Sequence, residues 1–151
     1  MILKGSDMGL IEIASGVSVW RGMDYYENHK VVSWKKSGKS TYEGVVSGSN
    51  GKRYNVYIDT LHPRKSVCNC AFAEGRRVVC KHMIALYFTV EPEAVQDFLK
   101  QAEQWEREEE ERVKQHYEDL RKYVKSLSKA ELQERLYNAL VELEERRNRY
   151  W

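Results

Sequence analysis

The sequence predicts an α+β fold, a small antiparallel β-meander with a short helix, followed by a long α-helical hairpin or coiled coil. Three observations predict it. Residues 53–59 alternate cleanly, with Tyr54, Val56 and Ile58 on one face and Arg53, Asn55, Tyr57 and Asp59 on the other, the period of a half-buried strand. Just before them, Gly48-Ser49-Asn50-Gly51 supplies the positive-φ residues of a tight hairpin. From Glu93 to Leu127 apolar residues recur in steps of three and four with no breaker between them, the mark of one long helix.

Taken in order, the first element is a helix over Met8 to Trp20, with Leu10, Ile11, Ala14 and Val17 at helical spacing and Ser6 or Asp7 as its cap. Strands follow over Val31 to Lys36, Ser40 to Val46 and Arg53 to Asp59, the first two joined by a Ser37-Gly38 turn. A short, mostly apolar helix covers Lys81 to Phe88 and stops before Pro92, because the residue ahead of a proline disfavours helical geometry. Pro92 suits the first position of the next helix. In that long helix the stripe Val95, Phe98, Ala102 and Trp105 is followed, out of register by one residue, by Val113, Tyr117, Leu120, Val124 and Leu127. Ser128-Lys129-Ala130-Glu131 fits a capping box and starts a last helix carrying Leu132, Leu136, Ala139, Leu143 and, near its end, Tyr150. These elements divide the chain into a front domain, 1–91, and a helical tail, 92–151.

Composition limits what such a chain does. With 32% charged residues in 151, it has little material for a large core, and a domain this small usually leans on a metal, disulfides or a partner. The longest apolar run, Met83 to Phe88, is too short to cross a bilayer, and no signal peptide stands at the start, so a soluble, intracellular protein is expected (cytoplasmic, or nuclear in a eukaryote) with no membrane partner. Charge divides unevenly: residues 1–92 hold 13 Lys and Arg against 8 Asp and Glu, and residues 93–151 hold 12 against 15. A basic front and a mildly acidic tail suggest two units with different work.

All three cysteines lie within thirteen positions, as Cys68-Asn69-Cys70 and Cys80-Lys81-His82. An odd, tightly packed set argues for metal ligation and against a disulfide framework. Three thiolates and an imidazole suit a zinc ion in a closed, structural tetrahedron. In extended backbone Cys68 and Cys70 point the same way. Residues two apart in a helix point to nearly opposite sides, so Cys80 should sit just ahead of the short helix and His82 in its first turn, where the positive helix end favours thiolates. Three thiolates around a divalent ion leave a formal −1, which Arg76, Arg77 and Lys81 are placed to offset. A redox pair at Cys68 and Cys70 would leave Cys80 and His82 unexplained. His62, just before Pro63, is the other histidine near the motif, and the spacing favours His82.

This ligand pattern resembles the SWIM zinc fingers, whose signature is Cys-x-Cys, a variable spacer and Cys-x-His. The similarity covers roughly residues 8–88, with Arg21-Gly22, Tyr25-Tyr26, Val31, Gly44 to Ser47 and Tyr54 to Ile58 ahead of the ligands and Ile84-Ala85-Leu86 after them. It implies a ββα-like fold around one structural zinc and a role in binding DNA or proteins. Family members are often fused to helicase-like ATPases or transposases. No such enzyme is attached here, and the acidic helical tail is not part of the family pattern.

The front domain's cations include Lys35, Lys36, Lys39, Lys52, Arg53, Arg64, Lys65, Arg76, Arg77 and Lys81, with Trp34, Tyr42 and Tyr54 close by. Gathered on one face, they would track a phosphate backbone while aromatics stack on bases; scattered, they are solubilising charge over core aromatics, and Tyr54, in step with Val56 and Ile58, belongs with the core. No paired carboxylates or nucleophile constellation points to an enzyme or a small-molecule substrate. The expected function is a zinc-finger module binding DNA or RNA through its basic front, with the tail self-associating or docking to a protein partner, Trp105 and Tyr117 being its bulky anchors. The alternative is a protein–protein adaptor without nucleic acid.

Overall fold

The computed structural model describes residues 8–149. It is α+β, with two compact units, 1–100 and 101–151. The first holds helices α1 (Leu10–Ile13) and α2 (Gly16–Glu27), strands β1 (Val31–Lys36), β2 (Thr41–Ser47), β3 (Arg53–Asp59) and β4 (Val67–Cys68), and helix α3 (Lys81–Val90). Helix α4 (Pro92–Ser126) begins in this unit, and α5 (Lys129–Asn148) belongs to the second.

The single helix expected over 8–20 is two helices. Ala14 is extended, and Ser15 caps α2 by accepting the Ser18 N–H at 3.2 Å, so a side-chain hydrogen bond restarts the helix where the apolar pattern alone read through it. Val17 is exposed as a result, and Val19 and Met23 go into the core. The cap expected at Ser6 or Asp7 lies outside the described residues.

The sheet is antiparallel in the order β1-β2-β3-β4. Gly51, at φ +71, closes the β2–β3 hairpin where the glycine-rich run predicts it. Tyr42, Val46, Val56 and Ile58 are buried on one sheet face, and α3 packs there. Helix α3 is buried nearly all round, through His82, Met83, Ile84, Ala85, Leu86 and Phe88, because α2 covers its other side. Two glycines permit these approaches: a Cβ on Gly22 would lie 2.4 Å from the Ile84 side chain, and one on Gly44 would lie 2.8 Å from Leu86. The first turns of α4 complete the core, with Val95 and Phe98 buried and Phe98 meeting Trp20 and Phe88 at ring-centroid separations of 5.0 and 5.9 Å.

In the second unit the capping box at Ser128 is formed in both directions: Ser128 Oγ accepts the Glu131 N–H and Glu131 Oε2 accepts the Ser128 N–H. No described residue of α5 is buried. The apolar stripes of α4 and α5 do not cover each other, and Tyr117, Leu120, Leu136 and Leu143 stand between 48% and 64% exposed. No helix among the described residues is long and apolar enough to cross a membrane.

Candidate metal centre

The metal ligands are set by four pieces of backbone. Cys68 ends β4 and pairs with Val56 of the central β3. Asn69 continues that pairing through its side chain, whose Oδ1 accepts the Asn55 N–H at 2.9 Å, which fixes the extended backbone that turns Cys68 and Cys70 to the same side. After Cys70 the chain turns tightly: the Cys70 carbonyl accepts the N–H groups of Ala73 and Glu74, and Gly75 takes φ +69. Cys80 is extended and forms the N-cap of α3, and His82 lies in the helix's first turn, the arrangement that the Cys-x-His spacing requires.

These segments bring Cys68, Cys70, Cys80 and His82 together as a buried cluster whose ligand atoms all lie within 4.8 Å of one another. His82 Nδ1 is 3.7 Å from the Cys68 sulfur and 3.8 Å from the Cys80 sulfur. A tetrahedron with metal–sulfur bonds of about 2.3 Å and a metal–nitrogen bond of about 2.0 Å has S···N edges of about 3.5 Å, so the cage has the size that one such ion needs, with Nδ1 as the imidazole ligand. The three cysteines are not joined by disulfides. The donor set and its geometry therefore fit one bound metal ion.

Two rings hold the imidazole. Tyr54 stacks on His82 at 4.4 Å and Tyr25 meets it edge-on at 5.4 Å. His82 Nε2 is buried without a hydrogen-bond partner among the described residues. Ring orientation here is thus fixed by aromatic packing, where metal-bound histidines more often use a carboxylate or carbonyl on the second nitrogen. The Cys68 and Cys80 thiols act on each other. A hydrogen bond from Cys68 is the main influence that pushes Cys80 down to about 4, against the opposing effect of burial and with help from His82 and the Met83 N–H. The same pairing, together with burial, pushes Cys68 up.

His62 is no ligand: it is exposed, and its Nδ1 lies 3.3 Å from Asp59. Asp59 is itself a structural acid. Burial works against its charge, but the N–H groups of His62 and Leu61, the Ser40 hydroxyl and the His62 ring outweigh that and hold its carboxyl below the usual range.

The candidate nucleic-acid residues stand in several local settings. Lys35 pairs with Glu43 at 3.1 Å, beside a trough of about 640 Å³ on the sheet that Glu74 also lines. Arg53 is exposed on β3, Arg64 and Lys65 sit in a 3-10 turn, and Lys36 lies over the Tyr42 ring. Lys52, Arg76 and Lys81 behave differently. Lys52 lies over Tyr54 and Lys81 over Tyr25, the two rings that flank His82. Arg76 rests on Phe72 and donates to its carbonyl, and Arg77 is exposed nearby in the chain. A cavity of about 340 Å³ abuts the cluster, lined by Cys70, Cys80 and His82 and by Ser18, Arg21, Tyr54, Phe72 and Lys81. No carboxylate lines it. Sequence reasoning did not bring Arg21 to this cavity, and only the packing of α2 on α3 places it there.

In comparisons with known proteins, no family model, no curated protein and no solved structure matches this chain.

Proposed function

We propose that the ion is zinc, that it serves as a structural clamp, and that the first unit is a SWIM-like module binding DNA or RNA beside it. Four protein ligands complete a tetrahedron and leave no position for a water or a substrate, which favours a binding module over an enzyme. The cavity against the metal cluster carries the nucleic-acid reading: it is lined by Arg21 and Lys81 and by no carboxylate, and Lys52 and Arg76 rest on two of its wall rings, Tyr54 and Phe72. Phe72 is 48% exposed and offers a face for base stacking. The sheet trough is a weaker candidate, because Glu43 and Glu74 offset Lys35 there.

The tail's uncovered stripes support its role in association, through self-assembly or a protein partner.

The test is affinity of the zinc-loaded full chain for duplex and single-stranded probes between about 50 and 200 mM salt. Four phosphate contacts predict a log–log slope of about −3.6 on duplex DNA. Arg21→Gln with Lys81→Gln should weaken binding at least tenfold, and Arg64→Gln with Lys65→Gln should leave it nearly unchanged. No binding at low salt would end the nucleic-acid reading, and the reverse ranking of the two double variants would move the contact away from the metal.

A further inference from the structure

We infer that the nucleic acid this module takes is single-stranded, one unpaired base entering the cavity beside the cysteine–histidine cluster and stacking on Phe72. The inference rests on the nucleic-acid binding proposed above and names the form of the ligand.

The cavity has two kinds of wall. Arg21 of α2 and Lys81 of α3 supply two cations, and among the described residues neither has an ion-pair partner and no carboxylate lines the space. Val17, Ala71, Phe72 and Tyr54 supply apolar and aromatic surface. Tyr54 has little of its ring left to give, because His82 stacks on it at 4.4 Å and Lys52 lies over it at 5.7 Å. Phe72 is the open ring, 48% exposed. It stands in the turn after Cys70, whose carbonyl accepts the N–H groups of Ala73 and Glu74. Arg76 lies over the Phe72 ring at 5.4 Å and donates to the Phe72 carbonyl at 3.2 Å. A ring held in place and left uncovered is a stacking platform whose ordering cost is met before a ligand arrives.

The two walls select the occupant. Unpaired cations call for an anion, and the apolar wall calls for a flat ring whose faces lose water on entry. A nucleotide carries both, as one phosphate and one base. At about 340 Å³ the cavity lies near the lower end of the range for ligand sites, which suits a single such unit. A duplex does not fill it. Its bases are paired and stacked inside, so it offers a concave wall only phosphates, and a base reaches the cavity only after being extruded at the cost of its stacking and pairing. An unpaired strand splays its bases onto aromatic side chains without that cost. Charge alone points the other way. Duplex phosphates are more densely spaced and release more counterions per contact than those of a single strand, so a module that merely tracked the backbone through Arg21 and Lys81 would favour the duplex. The apolar wall and the open Phe72 ring are what reverse that order.

The experiment uses the zinc-loaded full chain and three labelled probes of equal length at one salt concentration. They are a thymidine single strand, the same strand in a duplex, and a strand with tetrahydrofuran spacers in place of its bases. The unaltered chain should bind the thymidine strand at least tenfold more tightly than either of the others. Phe72→Ala should weaken binding of the thymidine strand at least tenfold, and Phe72→Trp should keep it, each variant being checked for its zinc content. The spacer strand needs no variant, so the comparison with it decides the matter whatever Phe72→Ala does to folding. Equal affinity for the thymidine and spacer strands, or a duplex bound as tightly as the single strand, would overturn the inference and leave backbone binding standing. A zinc-loaded Phe72→Ala chain with unchanged affinity would overturn the stacking on Phe72. Binding of none of the three probes would overturn both this inference and the nucleic-acid reading beneath it.

Discussion

The two units of this chain solve the same problem in opposite ways. Residues 8–100 enclose their apolar side chains, with Phe88, Met83, Ile84 and Leu86 fully buried between α2 and the sheet and four metal-type ligands closing one end. Residues 101–149 bury almost nothing, and Trp105 and Tyr117 stand 60% and 64% exposed. Local helix signals are strong enough to define α4 and α5 element by element, yet helices of this kind draw most of their stability from packing. The first unit closes on a cluster that fits one metal ion, and the second leaves its apolar stripes uncovered.

The largest effect should come from the ion. Cys80→Ala, or a chelator, removes an interaction of about 10–16 kcal/mol in comparable small zinc sites, comparable to or larger than the whole stability of a small domain. Amide exchange across residues 8–100 should rise to near the unfolded rate, and protection over 101–149 should change little. Equal loss in both units would erase the distinction between them.

A smaller effect is expected at Asp59, inside the first unit. Its carboxylate ties Ser40, Leu61 and His62 together, so Asp59→Asn should cost about 1–3 kcal/mol in thermal or denaturant unfolding. Its native pKa is lowered, so the stabilisation is fully present above the unfolded value of about 4 and fades as pH falls below it through the lower native value. A variant whose stability relative to the parent is flat across that window would show that the charge contributes nothing. The smallest effect belongs to the tail: Ser128→Ala removes one cap, worth about 1 kcal/mol of local helix stability. Faster exchange confined to the first turn of α5 checks it, and unchanged exchange would make the cap idle.

What the sequence made legible follows the same division. Strands 31–36 and 53–59, the Ser128 capping box and the placement of Cys80 ahead of a helix with His82 in its first turn were readable, because each depends on neighbours within a few positions. The break at Ala14-Ser15 was lost because one side-chain hydrogen bond overrode an apolar period. The two-residue strand Val67–Cys68 carries too little pattern to be seen, and it exists because β3 offers it an edge. Tyr54 packs against the core, as its step with Val56 and Ile58 predicts, but its stacking on His82 depends on where α3 lands. The cations were visible one by one. Their partition, with Lys35 paired to Glu43 and Lys81 and Arg21 both lining the cavity against the cysteine–histidine cluster, is a property of the fold.

Metal content decides most directly whether Cys68, Cys70, Cys80 and His82 close the first unit around an ion. Protein purified under reducing conditions with zinc supplied should hold one zinc per chain, released in step with modification of three thiols. A content far below one, with residues 8–100 still protected from exchange, would contradict the account.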